Sequence, residues 1–188
     1  MGYNFCETGH PDSAMSYMLE GYQTALKTHS DINGLGMGFV YDGLGVVYGL
    51  LGNYDMALPF YYKGIKLDIQ AGDQKQLSYV YRYMSRMYKQ RGNMDSCLFY
   101  AQKALSAAYA GNNSKEKLDS YKLLAKTYEG INDHLAVEYF NKEGILADSV
   151  HSAEKNKDVE NLNYNEHERQ AQLVADAQKA AADRKENL

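Results

Sequence analysis

Small and large apolar residues recur at steps of three and four through residues 44–64, LGVVYGLLGNYDMALPFYYKG, the spacing that two antiparallel helices need. Leu44, Gly45, Tyr48, Gly52, Tyr54, Ala57, Tyr61 and Gly64 hold the positions where a helical hairpin takes either a small residue for close approach or a large one to fill the gap. Gly45 and Ala57 are expected where the helices cross, Gly52-Asn53 at the turn, and Gly64 where the next hairpin approaches. The spacing predicts helices over residues 35–51 and 54–70. Pro59 falls inside the second of these, where it removes a hydrogen bond or bends the helix unless the helix starts later.

The pattern returns forty residues on, from Leu44 to Met84, with Met84, Ser85, Tyr88, Gly92, Met94, Cys97, Ala101 and Ala104 at the same offsets and GNMDSCL standing where GNYDMAL stood. A third copy has Leu124, Ala125 and Tyr128, then Asn132-Asp133 at the turn and Ala136, Phe140 and Ile145 beyond it, once one residue is deleted after the turn. Upstream, Phe5, Gly9, Ala14, Met18 and Gly21 fit the later part of a further copy, and the half-copy at residues 1–9 is expected to leave an exposed apolar end. Helices are predicted over residues 11–28, 75–91, 94–109, 114–129 (Ser114 as N-cap) and 135–147, with loops at 29–34, 71–73 and 110–114. This pattern resembles the tetratricopeptide repeat, a helix-turn-helix unit used in arrays. The resemblance implies an all-α, right-handed solenoid of about three and a half hairpins over residues 1–146. The spacing, near forty rather than the usual thirty-four, places the surplus in inter-repeat loops or in longer helices.

Residues 147–188 differ in character: they are rich in Asn, Gln, Glu, Lys and Ala, nearly free of aromatics, and too sparsely apolar for a heptad seam. They predict a long, solvated helical tail, a possible linker toward an output domain absent from this chain. Within it, LADSVHSAEKNKDVENLNYNEHERQAQ, residues 146–172, resembles the junction of bacterial sensor proteins of the Bacteroidetes type. There a repeat array passes into a helix that leads toward a histidine kinase or a transcriptional regulator. That resemblance implies a sensory or scaffolding module, periplasmic in such a receptor and cytoplasmic otherwise.

Composition narrows the chemistry. Two prolines suit a nearly all-helical chain, and 18 tyrosines suit packing between helices together with a binding surface rich in hydroxyls. A net charge of −4 excludes the basic excess of a general nucleic-acid binder, and no run of apolar residues is long enough to span a membrane. Cys6 and Cys97 have no metal-ligand spacing around them, and Cys97 reads as a small buried thiol in an alanine position. His10, His29, His134, His151 and His167 are scattered, GLGMG at 34–38 lacks phosphate-loop spacing, and no nucleophile or metalloprotease motif is present. The chain is therefore expected to be no enzyme and to need no cofactor.

In the repeat family, positions two, five, nine and twelve of each first helix face the concave surface. Here these are Phe39, Asp42, Val46 and Gly49; Tyr79, Arg82, Arg86 and Lys89; and Asp119, Lys122, Lys126 and Glu129. The resemblance thus assigns a peptide site to Tyr79, Arg82, Tyr83, Arg86, Lys89, Lys122 and Lys126, a basic face with tyrosines for an acidic peptide segment. The other reading of the same residues is a solvated helix face partly neutralised by Asp119 and Glu129. The carboxylate clamp of chaperone-binding repeats is not reproduced, since Asp42, Val46 and Tyr83 stand at its positions. Homodimerisation through the truncated end or the tail is the remaining expectation for partners.

Overall fold

Four successive turns of the array share one small device, and it fixes where the helices on either side begin and end. In the computed structural model, which describes residues 11–28 and 35–186, the described residues form α1 (Pro11–Thr28), α2 (Leu35–Leu50), α3 (Tyr54–Ala71), α4 (Gln74–Gln90), α5 (Met94–Ala110), α6 (Ser114–Tyr128) and α7 (Asp133–Glu186). The backbone enters the left-handed region at Gly52, Gly72, Gly92 and Asn112, with φ of 75°, 70°, 74° and 46°. Glycine carries no Cβ penalty there, and asparagine is among the side chains that tolerate the region. The next residue in each case, Asn53, Asp73, Asn93 or Asn113, donates its backbone N–H back to the carbonyl of Tyr48, Asp68, Tyr88 or Ala108. Its side chain then accepts from the N–H of Met56, Gln76, Ser96 or Glu116. One residue closes a helix and opens the following one, each cap contributing about 1 kcal/mol.

Because these four turns are similarly short within and between hairpins, the surplus repeat length lies in the helices, which run to 18 residues in α3 and 17 in α4 and α5. The N-cap of α6 is Asn113 rather than Ser114, which is the first helical residue. The last helix does not end at residue 147: α7 extends from Asp133 to Glu186, its start again capped by an asparagine, Asn132, which accepts from the Leu135 N–H at 3.1 Å. Nothing in the sequence beyond residue 147 breaks it, since there is neither proline nor glycine before its end. Pro59 does lie inside α3, which starts at Tyr54 and no later. The Asp55 carbonyl loses its helical donor, but both residues are exposed, so the carbonyl is open to solvent. The loop at 29–34, the half-copy at 1–9, Cys6, His10 and His29 lie outside the described residues.

Packing repeats with the turns. Tyr48 stacks on Phe60, Tyr88 on Tyr100 and Tyr128 on Tyr139, with ring centroids 5.6, 5.4 and 5.8 Å apart. A third ring joins each pair: Tyr41 lies 6.1 Å from Phe60, Tyr81 6.0 Å from Tyr100 and Tyr121 6.2 Å from Tyr139. The step to Tyr139, one short of forty, reflects the one-residue deletion in the third copy. Gly45 admits Tyr61 to the crossing of α2 and α3, since a Cβ there would sit 2.7 Å from its ring. Gly64 serves the same hairpin and not the next, because a Cβ on it would overlap Asp42 Oδ1. Cys97 is fully buried, and its carbonyl accepts from Ser85 Oγ at 2.9 Å.

The chain divides into two compact units with the boundary between Gly144 and Ile145. Within the second, the described side chains of residues 151–173 are exposed. Their interactions are local pairs such as Arg169 with Glu166 at 2.8 Å and Tyr164 donating to Glu168 at 3.0 Å, of the kind that contributes little to stability. No helix among the described residues is long and apolar enough to cross a membrane.

Candidate functional site

The first helix of each hairpin carries a polar residue at the same register, Asp42 in α2, Arg82 in α4 and Lys122 in α6. Two of the three are buried against the following hairpin. Asp42 Oδ2 accepts from Gln76 Nε2 at 2.9 Å, 34 residues along the chain. Arg82 repeats that contact at the same separation, its Nη2 lying 2.7 Å from Glu116 Oε2, and it also pairs through Nη1 with Asp119. These pairs join successive hairpins through the interior.

At the first junction Asp42 stands beside a second buried carboxyl, Asp68. Burial pushes the Asp42 carboxyl far above the usual carboxylate range and Asp68 adds to the shift, while the hydrogen bond from Gln76 draws it down. Asp68 is itself raised by burial, with its hydrogen bond to Asp42 opposing. Burial thus holds both neighbouring carboxyls above the usual carboxylate range, Asp42 further than Asp68. Asp42 and Val46 do not face the concave surface as the register implied: both are fully buried, while Phe39 of the same set is exposed. The reason is the close approach at Gly64 and the packing of α4 over this part of α2.

At the second junction a cavity of about 370 Å³ opens, lined by Leu50 of α2, Tyr79, Arg82, Tyr83 and Arg86 of α4, and Lys115 and Asp119 of α6. Asp73 caps α4, and Leu77, Val80, Met84 and Met87 turn its apolar side into the core, which leaves Tyr79, Tyr83 and Arg86 along the cavity wall. The Tyr79 and Tyr83 rings are 4.7 Å apart; Arg82 lies 5.8 Å over the first and Arg86 5.2 Å over the second. Asn113 sets the start of α6 so that its first turns present Lys115 to the cavity and Glu116 to the interior.

Charge in the cavity is divided. Arg82 is only 5 % exposed, and its guanidinium is compensated by Glu116 and Asp119. Burial raises the Glu116 carboxyl, with Arg82 drawing it down and Asp119 raising it further. Arg86 and Lys115 are exposed, and among the described residues neither forms an ion pair. Four of the seven expected contact residues, Tyr79, Arg82, Tyr83 and Arg86, are thus gathered on one cavity. The other three are not among its lining residues. Lys122 and Lys126 are exposed on α6, and Lys89 Nζ donates to the Lys126 carbonyl at 2.8 Å, a cation placed at the negative end of that helix.

Lys115 and Leu50 escaped the concave-face rule because it samples fixed positions of each first helix, whereas the cavity is closed by one helix end and another helix start. The signal was the contact between successive first helices: once Gln76 is seen to answer Asp42, Glu116 must answer Arg82, and its neighbour Lys115 turns outward. Among the described residues no group of three His, Cys, Asp or Glu side chains is placed to hold a metal ion.

Residues 40–68, most of α2 together with α3 up to Asp68, match the tetratricopeptide repeat family model. No curated protein matches the chain. With the same ring clusters recurring in the next two hairpins and the same turn in the first of them, the architecture is an all-α helical-repeat solenoid. Repeats of this kind generally mediate protein–protein interaction or scaffolding and are typically non-catalytic.

Proposed function

We propose that the chain is a protein-binding repeat module whose cavity between α2, α4 and α6 holds a peptide segment presenting a carboxylate next to an apolar side chain. The observation that carries this reading is the pair Arg86 and Lys115, two exposed cations on different helices that form no ion pair among the described residues, set around tyrosine walls with Leu50 at one side. A carboxylate between them gains charge-assisted hydrogen bonds, and the rings and Leu50 supply the apolar contact that anchors most peptide interfaces. The net charge of −4 and the localised cationic site together favour a discrete acidic segment over a polyanion. The resemblance of residues 146–172 to sensor junctions favours an input or scaffolding role for such a module in a signalling protein.

The test is binding of an acidic peptide pool to the wild type and to Arg86→Glu/Lys115→Glu at low and moderate salt. Salt-sensitive binding by the wild type, weakened at least about a hundredfold in the double variant, is the expected outcome, since each charge reversal replaces an attraction with a repulsion. Equal binding by the two proteins would show that the cavity is not the site.

Self-association is the second reading, favoured by the end of the array. Phe140 is 66 % exposed although its register equivalents Tyr61 and Ala101 are buried, and Val137 beside it is exposed as well. Mass measured over a concentration series separates a dimer from a monomeric peptide binder.

A further inference from the structure

The cavity that the proposed function relies on contains an acidic side chain of its own, Asp119, which has no acidic counterpart at the first junction. At the first junction the interior contact consists of Asp42 and Gln76, and the register position of Asp119 is occupied by Tyr79. The second junction has the equivalent contact between Arg82 and Glu116, both side chains almost fully buried, at 6 % and 5 % exposure. Asp119 is additional. Its side chain is 38 % exposed, it lines the cavity, and it neutralises the outer face of the one buried guanidinium there. Arg82 Nε is buried without a hydrogen-bond partner, so the guanidinium still has donor capacity.

From this arrangement we infer that Asp119 is an internal stand-in for the ligand: it occupies Arg82 when the cavity is empty, and an incoming peptide carboxylate displaces it and takes the Arg82 edge between Arg86 and Lys115. Asp119 then sets affinity and charge specificity. It screens Arg82 from weakly anionic segments and yields to one whose carboxylate is also held by the two outer cations. Glu116 stays in place throughout, because its removal from Arg82 would leave a buried charge unpaired.

This inference rests on the cavity being the peptide site, and the experiment separates the two. Asp119→Asn keeps the size of the side chain and an oxygen for Arg82 while removing the competing charge. Its affinity is measured beside the wild type and Asp119→Glu against two short peptide pools. One pool is rich in Asp and Glu with amidated C-termini, and the other is neutral with free C-termini. The expected result is binding of at least one pool about tenfold tighter by Asp119→Asn, with a steeper salt dependence, and return to wild-type affinity in Asp119→Glu. The pool that responds identifies the carboxylate as a side chain or a chain terminus. Binding to all three proteins with equal affinity overturns the stand-in role and leaves the peptide site standing. Absence of binding to any of them overturns both.

Discussion

Arg82→Ala is expected to lower the unfolding free energy by about 3–5 kcal/mol, the cost of leaving one member of a buried ion pair without its partner. Glu116 would remain in a position where its side chain is 5 % exposed, facing a void where the guanidinium had been. The loss arises from an uncompensated charge and not from an attraction forgone. A paired replacement, Arg82→Met with Glu116→Leu, should therefore recover most of it, since apolar groups of similar volume in place of a buried pair are close to neutral. Urea denaturation of the two variants and the wild type, with unchanged denaturant slopes, checks both results. A loss below about 1 kcal/mol for Arg82→Ala would mean that water reaches Glu116 and that the second junction is not held by this pair. The same argument governs the choice of residues for binding studies. Reversing Arg82 would set a buried carboxylate against Glu116 and Asp119 and damage the fold, so Arg86 and Lys115 are the positions at which charge can be reversed to test recognition.

Asp42→Asn is expected to stabilise the protein on the alkaline side, on the order of 2 kcal/mol at pH 8, equivalent to roughly 4–8 °C in Tm for a chain of this size. In the folded state the Asp42 carboxyl is raised to about 9 by burial, by Asp68 and more weakly by Asp73, whereas an unfolded aspartate titrates near 3.9. Between those values the folded protein holds more protons than the unfolded chain. Stability from this pair is therefore greatest at the acid end and falls as pH rises through the folded value. Glu116, also raised, acts in the same direction. Asparagine at position 42 keeps an oxygen for the Gln76 side chain and adds an N–H that can face Asp68, so the bond to Gln76 survives while the titration is removed. Denaturation at pH 5, 7 and 8 should show a falling wild-type stability and a flatter variant. A variant less stable than wild type at pH 8, or one with an unchanged slope, would show that the two carboxyls ionise freely in the folded state.

These two junctions also mark where sequence reasoning succeeds and where it stops. The hairpins were legible because a repeat must match its neighbours: Tyr48, Tyr88 and Tyr128 at equal steps cannot be accidental when each stacks on a ring in its own hairpin. The finer period of the turns was legible too, in the run Gly52-Asn53, Gly72-Asp73, Gly92-Asn93 and Asn112-Asn113, once a cap is sought at both ends of every helix. The candidate site was only half legible. Helical register brings Arg82 and Arg86 onto one side of α4, but four residues make slightly more than a full turn, and the approach of α6 buries the first and leaves the second exposed. Arg82 and Arg86 look identical in composition, and the burial that separates them is set by side chains on another hairpin. Gly64 shows the same limit. Its small size was evident, but which neighbour needed the space depended on Asp42 pointing inward, which a polar residue in a presumed solvent position concealed.

The turn in which one residue ends a helix and begins the next has a bearing on how such a chain can be lengthened or shortened. The joint is chemically the same inside a hairpin and between hairpins, so a single helix with its capping residue is already a complete building block. Adding one block would reverse the direction of everything downstream, and adding two would restore it. The joints accept either operation with equal ease. What holds duplications to even numbers is the need for Tyr81 to meet Tyr100, as Tyr41 meets Phe60, on a helix running the opposite way.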